Sequence, residues 1–277
     1  MRLSGSGKTL TILVFLLTVF GLVMLSSAGV VEGQKKFNSA YYFFNHQLFY
    51  GVLPGLILFF IASRMHYRLW RKLALPILIL AIGLMVMVFI PQFGLTIKGA
   101  RRWVDLGFIT FQPAEFLKLA VVVYLAAWFG SRGSQAMSQP RALAPFLLVL
   151  AFVALLLILQ PDIKTLALVT LIGVALYFFA GAKLSHILGL ILLLGVILGT
   201  SSFAPYRFNR IRAYLNPTVD KQGVAYHINQ ALIGVGSGGL FGVGFGQSKQ
   251  KINFLPEPVG DSIFAVIVEE LGFVGGA

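Results

Sequence analysis

The sequence predicts an all-α, polytopic transmembrane helix bundle, and three observations carry that prediction. Hydrophobic residues make up 58% of the 277 residues and charged residues only 11%, whereas soluble domains have about 45–50% apolar and about 25% charged residues. The mean hydropathy is +0.87. The apolar residues are also gathered into long runs. So few polar side chains cannot cover a water-facing surface of this size, which excludes a soluble globular enzyme, a disordered chain and a coiled coil.

Seven apolar runs and the beginning of an eighth follow one another along the chain. They are roughly 10–28, 48–62, 73–90, 114–129, 146–159, 165–180, 187–203 and 263 to the end. Several are shorter than the ~20 residues that a crossing helix needs, so we expect the helices to extend into flanking polar residues. The whole chain, 1–277, is predicted to be a single integral membrane domain.

The first and the last apolar runs each support a further prediction. The first run lacks a small-residue cleavage site, which favours a retained helix over a signal peptide. The eighth run holds about 15 residues before Ala277, or roughly 22 Å of helix, which is short of a ~30 Å hydrocarbon core. We therefore expect at least one further span to be missing.

Lysine and arginine in the short loops predict the orientation. The densest cluster contains Arg64, Arg68, Arg71 and Lys72, and such clusters favour the cytoplasmic side. The N-terminus is then cytoplasmic, together with residues 1–8, 63–72, 131–144 and 181–186. Two longer loops, 91–113 and the large loop 204–262 between spans seven and eight, are then extracytoplasmic.

The net charge is +13. Part of it comes from lysine and arginine in the cytoplasmic loops, and part from lysine and arginine in the two outer loops. In a soluble protein this charge would indicate nucleic acid, but here no nucleic-acid partner is expected. Arginine is suited to phosphate and pyrophosphate recognition, so an anionic lipid headgroup would explain the outer cations. A solvated basic loop is the simpler alternative. The cations in question are Lys98, Arg101, Arg102, Arg207, Arg210, Arg212, Lys221, Lys249 and Lys251.

Four acidic residues are candidates for a chemical role. Glu115 and Lys118 are three residues apart on one predicted helix face, so they can pair, either structurally or beside a substrate. Glu269 and Glu270 point about 100° apart and are predicted to have different neighbours; structural hydrogen bonding and a proton relay both remain open. Asp261 precedes the eighth run, where it could cap the helix or stand at the rim of an outer cavity.

Several motifs, taken in order, resemble the SEDS (shape, elongation, division and sporulation) peptidoglycan polymerases of the RodA/FtsW/SpoVE type. They are GARRW at 99–103, QPAEFLK at 112–118, QPD at 160–162, QAL at 230–232, GSGGLFG at 236–242, LPE at 255–257, Asp261, IFA at 263–265 and EELG at 269–272. Residues 244–251 with Pro258 are more similar to the division and sporulation branch than to the elongation branch. Two departures stand out: Val259-Gly260 replaces the usual His-Thr, and Ile163-Lys164 follows the Gln-Pro-Asp where glycine is usual.

The resemblance implies a SEDS-like bundle with about eight spans present of an expected ten, located in the bacterial cytoplasmic (inner) membrane. It implies polymerisation of lipid II on the extracytoplasmic side, with Asp261 as general base, and a class B penicillin-binding protein as partner beside membrane lipids. The other residues then belong to the substrate site: Arg102, Lys118, Arg207 and Arg210 as pyrophosphate contacts, Glu115 orienting Lys118, and the acids Asp162 and Glu257. A divalent cation such as Mg²⁺ would serve the same pyrophosphate, although the sequence shows no cage for one.

Two rival functions remain open on the sequence. A lipid flippase or secondary transporter would use residues at membrane depth, such as Glu269, Glu270 and Lys118. A noncatalytic scaffold would only recruit a partner. The gathering of polar residues at the outer face and the lack of a convincing internal repeat favour the enzyme over the transporter.

Overall fold

The computed structural model describes residues 5–97, 99–107, 110–131, 140–202 and 225–277. Most of the regular structure in these ranges is helical, as the apolar runs predict. The first five helices are α1 (Gly5–Ala28), α2 (Val30–Phe37), α3 (Tyr42–His46), α4 (Leu53–Arg64) and α5 (Tyr67–Met87). The later helices are α6 (Pro113–Phe129), α7 (Pro140–Leu159), α8 (Ile163–Phe179), α9 (Leu184–Ser202), α10 (Tyr226–Ser237), α11 (Gln250–Asn253) and α12 (Ile263–Gly276).

The helix lengths and their surfaces are those of a membrane protein. Within the described ranges, Gly7–Ala28, Tyr42–Arg64 and Tyr67–Met87 are long and apolar enough to cross a membrane. The second of these is continuous because a π-helical turn, Gln47–Val52, joins α3 to α4. Three more helices are apolar but shorter. Large apolar side chains such as Phe179 and Leu192 lie exposed, which is stable when lipid surrounds them. The predicted helical membrane fold is confirmed, while the number of spans stays a prediction.

The chain divides into two compact units. Unit 1 contains residues 1–64 and 205–277, and unit 2 contains residues 65–204. Unit 2 has an extended core formed by α5 to α9. At one end of that core the rings of Phe129, Phe146 and Tyr177 stack at centroid distances of 5.1–5.7 Å. Unit 1 has a smaller core in which Ala28 of α1 packs with Leu255, Ala265 and Val266.

Segment 91–113 departs from the loop that the sequence predicts. It forms a three-stranded antiparallel sheet of β1 (Gly94–Ile97), β2 (Ala100–Asp105) and β3 (Thr110–Phe111), in the order β1-β2-β3. Gly99 has φ of +77° between β1 and β2, a conformation that glycine adopts without strain in a tight hairpin. The sequence reading missed the strands because the basic residues Arg101 and Arg102 mask the short β-favouring segment around them.

Segment 225–262 is likewise more ordered than a long loop. It contains α10 and α11. Residues 238–249, which we name the glycine-rich stretch, lie between these two helices and turn back onto α12. In unit 1 this stretch brings the family-like motifs at 236–242, 255–257 and 269–272 into one contiguous region.

Candidate functional site

Asp261 lies in an exposed turn that leads into α12. The turn runs from Pro256 to Ser262, and we name it the carboxylate turn. Two backbone hydrogen bonds close the turn: Gly260 N and Ser262 N donate to the carbonyl of Glu257, at 3.1 and 3.2 Å. Within the part of the chain that the structure describes, the Asp261 carboxylate has no hydrogen bond or ion pair. Its oxygens are therefore available to accept a proton from another molecule.

The structure excludes the alternative that Asp261 caps α12. Ser262 holds the N-cap position, and its side chain makes no capping bond. The backbone N–H groups of Ala265 and Val266 bond instead to the carbonyl of Ser262, at 3.0 and 3.4 Å. Because the helix begins one residue later than the capping hypothesis needs, that hypothesis is wrong.

Glu257 shapes the carboxylate turn through its backbone. Its φ is +51°, a left-handed conformation that is uncommon outside glycine, asparagine and aspartate. This conformation directs the Glu257 carbonyl towards Gly260 N and Ser262 N. The side chain is half-buried. The backbone of Glu257 is therefore bonded to the residues on either side of Asp261.

A histidine contacts both ends of the carboxylate turn. Nε2 of His227, on α10, lies 3.0 Å from the Pro256 carbonyl oxygen and 2.6 Å from the Ser262 hydroxyl. The neighbouring Tyr226 hydroxyl donates to the Phe254 carbonyl at 3.0 Å, outside the turn. No local pattern could have found His227, because its partners are about 30 residues further along the chain.

A buried charge network lies behind the glycine-rich stretch in unit 1. Lys251 Nζ pairs with Glu270 Oε1 at 2.6 Å, and the two side chains are 6% and 0% exposed. Ser27 of α1 donates to the Glu270 carboxylate at 2.7 Å, and Lys251 also reaches the Gly246 carbonyl at 2.9 Å. Lys251 is therefore not one of the outer cations available to an anionic headgroup.

Glu269 is held by the same segment as Glu270. Its carboxylate accepts from the Ser248 hydroxyl and from the backbone N–H groups of Lys249 and Gln250. Ser248 N also lies 3.4 Å from Glu270. The expectation that the two glutamates have different neighbours is thus wrong, because residues 248–251 wrap around the helix and reach both of its faces. Of the two readings left open, the contacts favour structural hydrogen bonding.

Helix α12 is interrupted at Gly272, whose φ and ψ are +73° and −172°. The carbonyls of Glu269 and Glu270 accept instead from Val243 N and Gly244 N, at 2.9 and 3.0 Å. A Cβ at Gly272 would lie 2.3 Å from Gly242 N, so only glycine fits. Broken helices at membrane depth are stable when other backbone groups satisfy the freed bonds, and the glycine-rich stretch supplies those bonds.

In unit 2, Glu115 and Lys118 form the ion pair that their spacing predicts. Lys118 Nζ lies 2.7 Å from Glu115 Oε2, and the side chains of lysine and glutamate are 26% and 62% exposed. Both stand in the first two turns of α6, which follows the small sheet directly. The lysine therefore keeps part of its side chain open to an anionic ligand although it is paired with Glu115.

Arg102 of the GARRW motif and Asp162 of the Gln-Pro-Asp motif, both in unit 2, have protein partners. Arg102 on β2 donates from Nε to the Gln160 carbonyl at 3.0 Å and from Nη2 to the Pro161 carbonyl. Asp162 is 4% exposed and caps α8, accepting from Thr165 N at 3.3 Å and from the Thr165 hydroxyl at 2.8 Å. Gln112 donates to the same carboxylate at 3.3 Å. These contacts tie the segment before α6 to the segment before α8.

Some predicted site residues lie outside the described residues, namely Arg207 and Arg210. Of the remaining ones, unit 1 brings together Asp261 and Glu257, and unit 2 brings together Arg102 and Asp162 and, separately, the pair Glu115–Lys118. Among the described residues, no group of three His, Asp or Glu side chains is placed to hold a metal ion.

The comparisons with known proteins agree on one family. A family model described as "Cell cycle protein" and labelled FtsW, RodA and SpoVE matches residues 8–277. Stage V sporulation protein E of Bacillus subtilis is 39% identical over 269 residues, which are 96% of this chain and 73% of that protein. A probable peptidoglycan glycosyltransferase FtsW of Trichlorobacter lovleyi is 36% identical over 275 residues, which cover 99% and 72% of the two chains.

Solved structures give the same result for the fold. A variant of the rod shape determining protein RodA of Thermus thermophilus matches 96% of this chain and 68% of its own, with a TM-score of 0.61 and 25% identity. A chain from a structure described as "Structural coordination of polymerization and crosslinking by a peptidoglycan synthase complex" matches 93% of this chain and 71% of its own, with a TM-score of 0.65 and 26% identity.

Proposed function

The chain belongs to the FtsW/RodA/SpoVE family of cell cycle proteins, and on that premise we propose that it is a peptidoglycan glycosyltransferase that polymerises lipid II with Asp261 as general base. The single observation that carries the assignment of the base is the exposed Asp261 carboxylate, which has no partner among the described residues. The two glutamates in the middle of α12, Glu269 and Glu270, are buried and bonded to the protein.

The reaction needs one base and several cations. Lipid II is a disaccharide-pentapeptide on an isoprenoid pyrophosphate. The 4-hydroxyl oxygen of the acceptor forms a bond to the anomeric carbon of the donor while the bond from that carbon to pyrophosphate breaks. The donor link is α and the product link is β-1,4, so a single inversion suffices. The hydroxyl proton passes to Asp261, as inverting transfer requires. Pyrophosphate leaves as an anion, and cations stabilise it better than a general acid would.

We propose different roles for the remaining site residues. Lys118 contacts the pyrophosphate, and Glu115, paired with it at 2.7 Å, holds its ammonium group in place. Arg207 and Arg210 are further pyrophosphate contacts. Arg102 has two of its nitrogens bonded to backbone carbonyls, so only its remaining N–H groups serve the substrate.

The two other acids of the proposed site have more limited roles. The carboxylate of Asp162 is bonded within unit 2, and we propose that it supports the site by shaping it. Glu257 forms the rim of the site beside Asp261, through the turn that they share.

A reconstituted polymerisation assay tests the proposed function. Purified protein in detergent receives labelled lipid II, and glycan strands are separated on a gel. We expect polymer. Movement of lipid II across a vesicle membrane without polymer would instead support a flippase, and binding with neither outcome would support a scaffold.

The Glu115–Lys118 pair gives a prediction that separates substrate binding from structure. Lys118→Ala should abolish most polymerisation, since it removes a pyrophosphate contact, while the melting temperature should change little because the Glu115 side chain is 62% exposed. The double change Glu115→Gln/Lys118→Met removes both charges, so it should also keep the melting temperature while activity stays absent. Recovery of activity in the double variant would show that the pair is only structural, and full activity in Lys118→Ala would contradict both roles.

We also propose a partner and a location, and family membership supports both. One structural neighbour comes from a synthase complex that couples polymerization to crosslinking. We propose that this chain likewise works beside a crosslinking transpeptidase, a class B penicillin-binding protein. The apolar helices make it a membrane protein, which we place in the cytoplasmic membrane of a bacterium with its site on the extracytoplasmic side.

The proposed orientation predicts which loops react from outside the cell. A single cysteine placed at Arg68 or Ser131 should resist a membrane-impermeant thiol reagent on intact cells and react after permeabilisation, because both positions belong to the predicted cytoplasmic loops. A cysteine at Thr110, an exposed residue of β3, should react on intact cells and serves as the matched control. The parent chain has no cysteine, so each label reports one position. Labelling of position 68 from outside would reverse the topology.

A further inference from the structure

We propose that His227 is a positioning residue for catalysis: it clamps the two ends of the carboxylate turn and so fixes where Asp261 meets the acceptor hydroxyl. This inference rests on the proposed function, since it assigns to His227 an effect on the base of that reaction. Neither the motifs in the sequence nor the names of the related proteins assign a role to this histidine.

The carboxylate turn needs an external support. A general base must be held close to its productive position, since an error of about 1 Å can cost about 10²-fold in rate. Asp261 has no side-chain bond of its own among the described residues, so within that part of the chain the backbone of the turn sets its position. That backbone contains Glu257 at φ +51° and a glycine at 260. The two hydrogen bonds to the Glu257 carbonyl close residues 257–262, but neither of them holds Pro256, so a contact from another element is what joins the two ends of the turn.

His227 supplies that support from another element. One ring nitrogen, Nε2, reaches the carbonyl oxygen of Pro256 at 3.0 Å and the hydroxyl of Ser262 at 2.6 Å. These two residues are the first and the last of the carboxylate turn, and Ser262 is also the residue next to Asp261. One nitrogen atom of His227 therefore holds Pro256 and Ser262 at a fixed separation.

The contacts select one tautomer of the imidazole for the clamp. A carbonyl oxygen only accepts hydrogen bonds, so the bond to Pro256 uses the tautomer with the hydrogen on Nε2, and the Ser262 hydroxyl then shares that hydrogen as a second acceptor. The ring stands on the first turn of α10, whose N-cap residue, Ala225, is buried. Because the helix holds the ring, the clamp is more rigid than the turn that it supports.

The experiment compares three variants at His227 and next to it. His227→Phe keeps a ring but loses the donor, and we expect kcat for lipid II polymerisation to fall about 10- to 100-fold, with KM, lipid II binding and melting temperature close to those of the wild type. His227→Gln restores an N–H donor and should recover most of kcat. Tyr226→Phe removes a hydrogen bond of the same helix turn to Phe254, outside the carboxylate turn, and should keep kcat within about threefold.

The results separate this proposal from the proposed function. Wild-type kcat in His227→Phe, or an equal loss in Tyr226→Phe, would overturn the positioning role. The positioning role would also be overturned if kcat, lipid II binding and melting temperature all fell in both His227 variants, because His227 would then be a purely structural residue. If His227→Phe does not fold, Ser262→Ala takes its place, and unchanged kcat would then overturn the proposal. Asp261→Asn is measured alongside: activity there refutes the base assignment itself, whereas inactivity with an unaffected His227→Phe refutes the clamp alone.

Discussion

Asp261→Asn should lower the rate of lipid II polymerisation by about 10²–10⁴-fold, or to background, because an amide cannot take the proton of the acceptor hydroxyl. The melting temperature should stay close to the wild-type value, since the Asp261 carboxylate neither caps α12 nor bonds to any described residue. Lipid II binding should persist. Polymer length on a gel, binding and thermal stability are measured on the same preparation.

Asp261→Glu is the matched variant for this test. It keeps a carboxylate but moves it by about one methylene, and misplacement on that scale can cost about 10²-fold in rate. The expected order of activity is therefore wild type, then glutamate, then asparagine. If Asp261→Asn polymerises normally, the base is another acid, and Glu257 on the same turn is the first to examine.

Lys251→Met should destabilise the protein by about 3–5 kcal/mol, the usual cost of removing one partner of a buried ion pair. Glu270 would be left fully buried with its charge uncompensated, and the Gly246 carbonyl would lose a donor. In melting temperature this is a fall of about 10 °C for a chain of this size. The ties between residues 246–251 and α12 would weaken with it, so polymerisation should also fall.

Two further variants separate the buried pair from a simple change in charge. Lys251→Met/Glu270→Gln removes both charges and leaves an oxygen to accept from Ser27, so it should recover most of the lost stability. Lys249→Met removes the same positive charge two residues away, at an exposed side chain, and should change stability by no more than about 0.5 kcal/mol. Equal stability of Lys251→Met and wild type would show that the pair contributes nothing to folding.

Local patterns in the sequence were sufficient for the class of protein and for one contact. Runs of apolar residues predict helices that face lipid, and the structure has helices at those positions. Glu115 and Lys118 pair as their spacing predicts, because three residues along a helix bring two side chains to one face whatever the rest of the fold does. The ordered motifs also identified the family, since they preserve residue identity and order along the chain.

Contacts between distant segments were beyond the same reasoning. Lys251 was counted among the outer cations, but it is buried against Glu270 and Ser27 of α1. His227 contacts residues 29 and 35 positions further along the chain, at the two ends of the carboxylate turn. The sheet at 94–111 depends on strand pairing, and the break at Gly272 depends on the backbone of Gly242.

The sequence by itself therefore determined that this is a helical membrane protein of the FtsW/RodA/SpoVE family, whereas only the tertiary structure decided which charged residues are free to act. Helical periodicity and hydropathy are properties of neighbouring residues, so they can be read along the chain. Whether a carboxylate is exposed like that of Asp261 or buried and paired like that of Glu270 depends on segments up to 243 residues away. A buried charge must find a partner when the chain folds, and that partner can come from anywhere in the sequence.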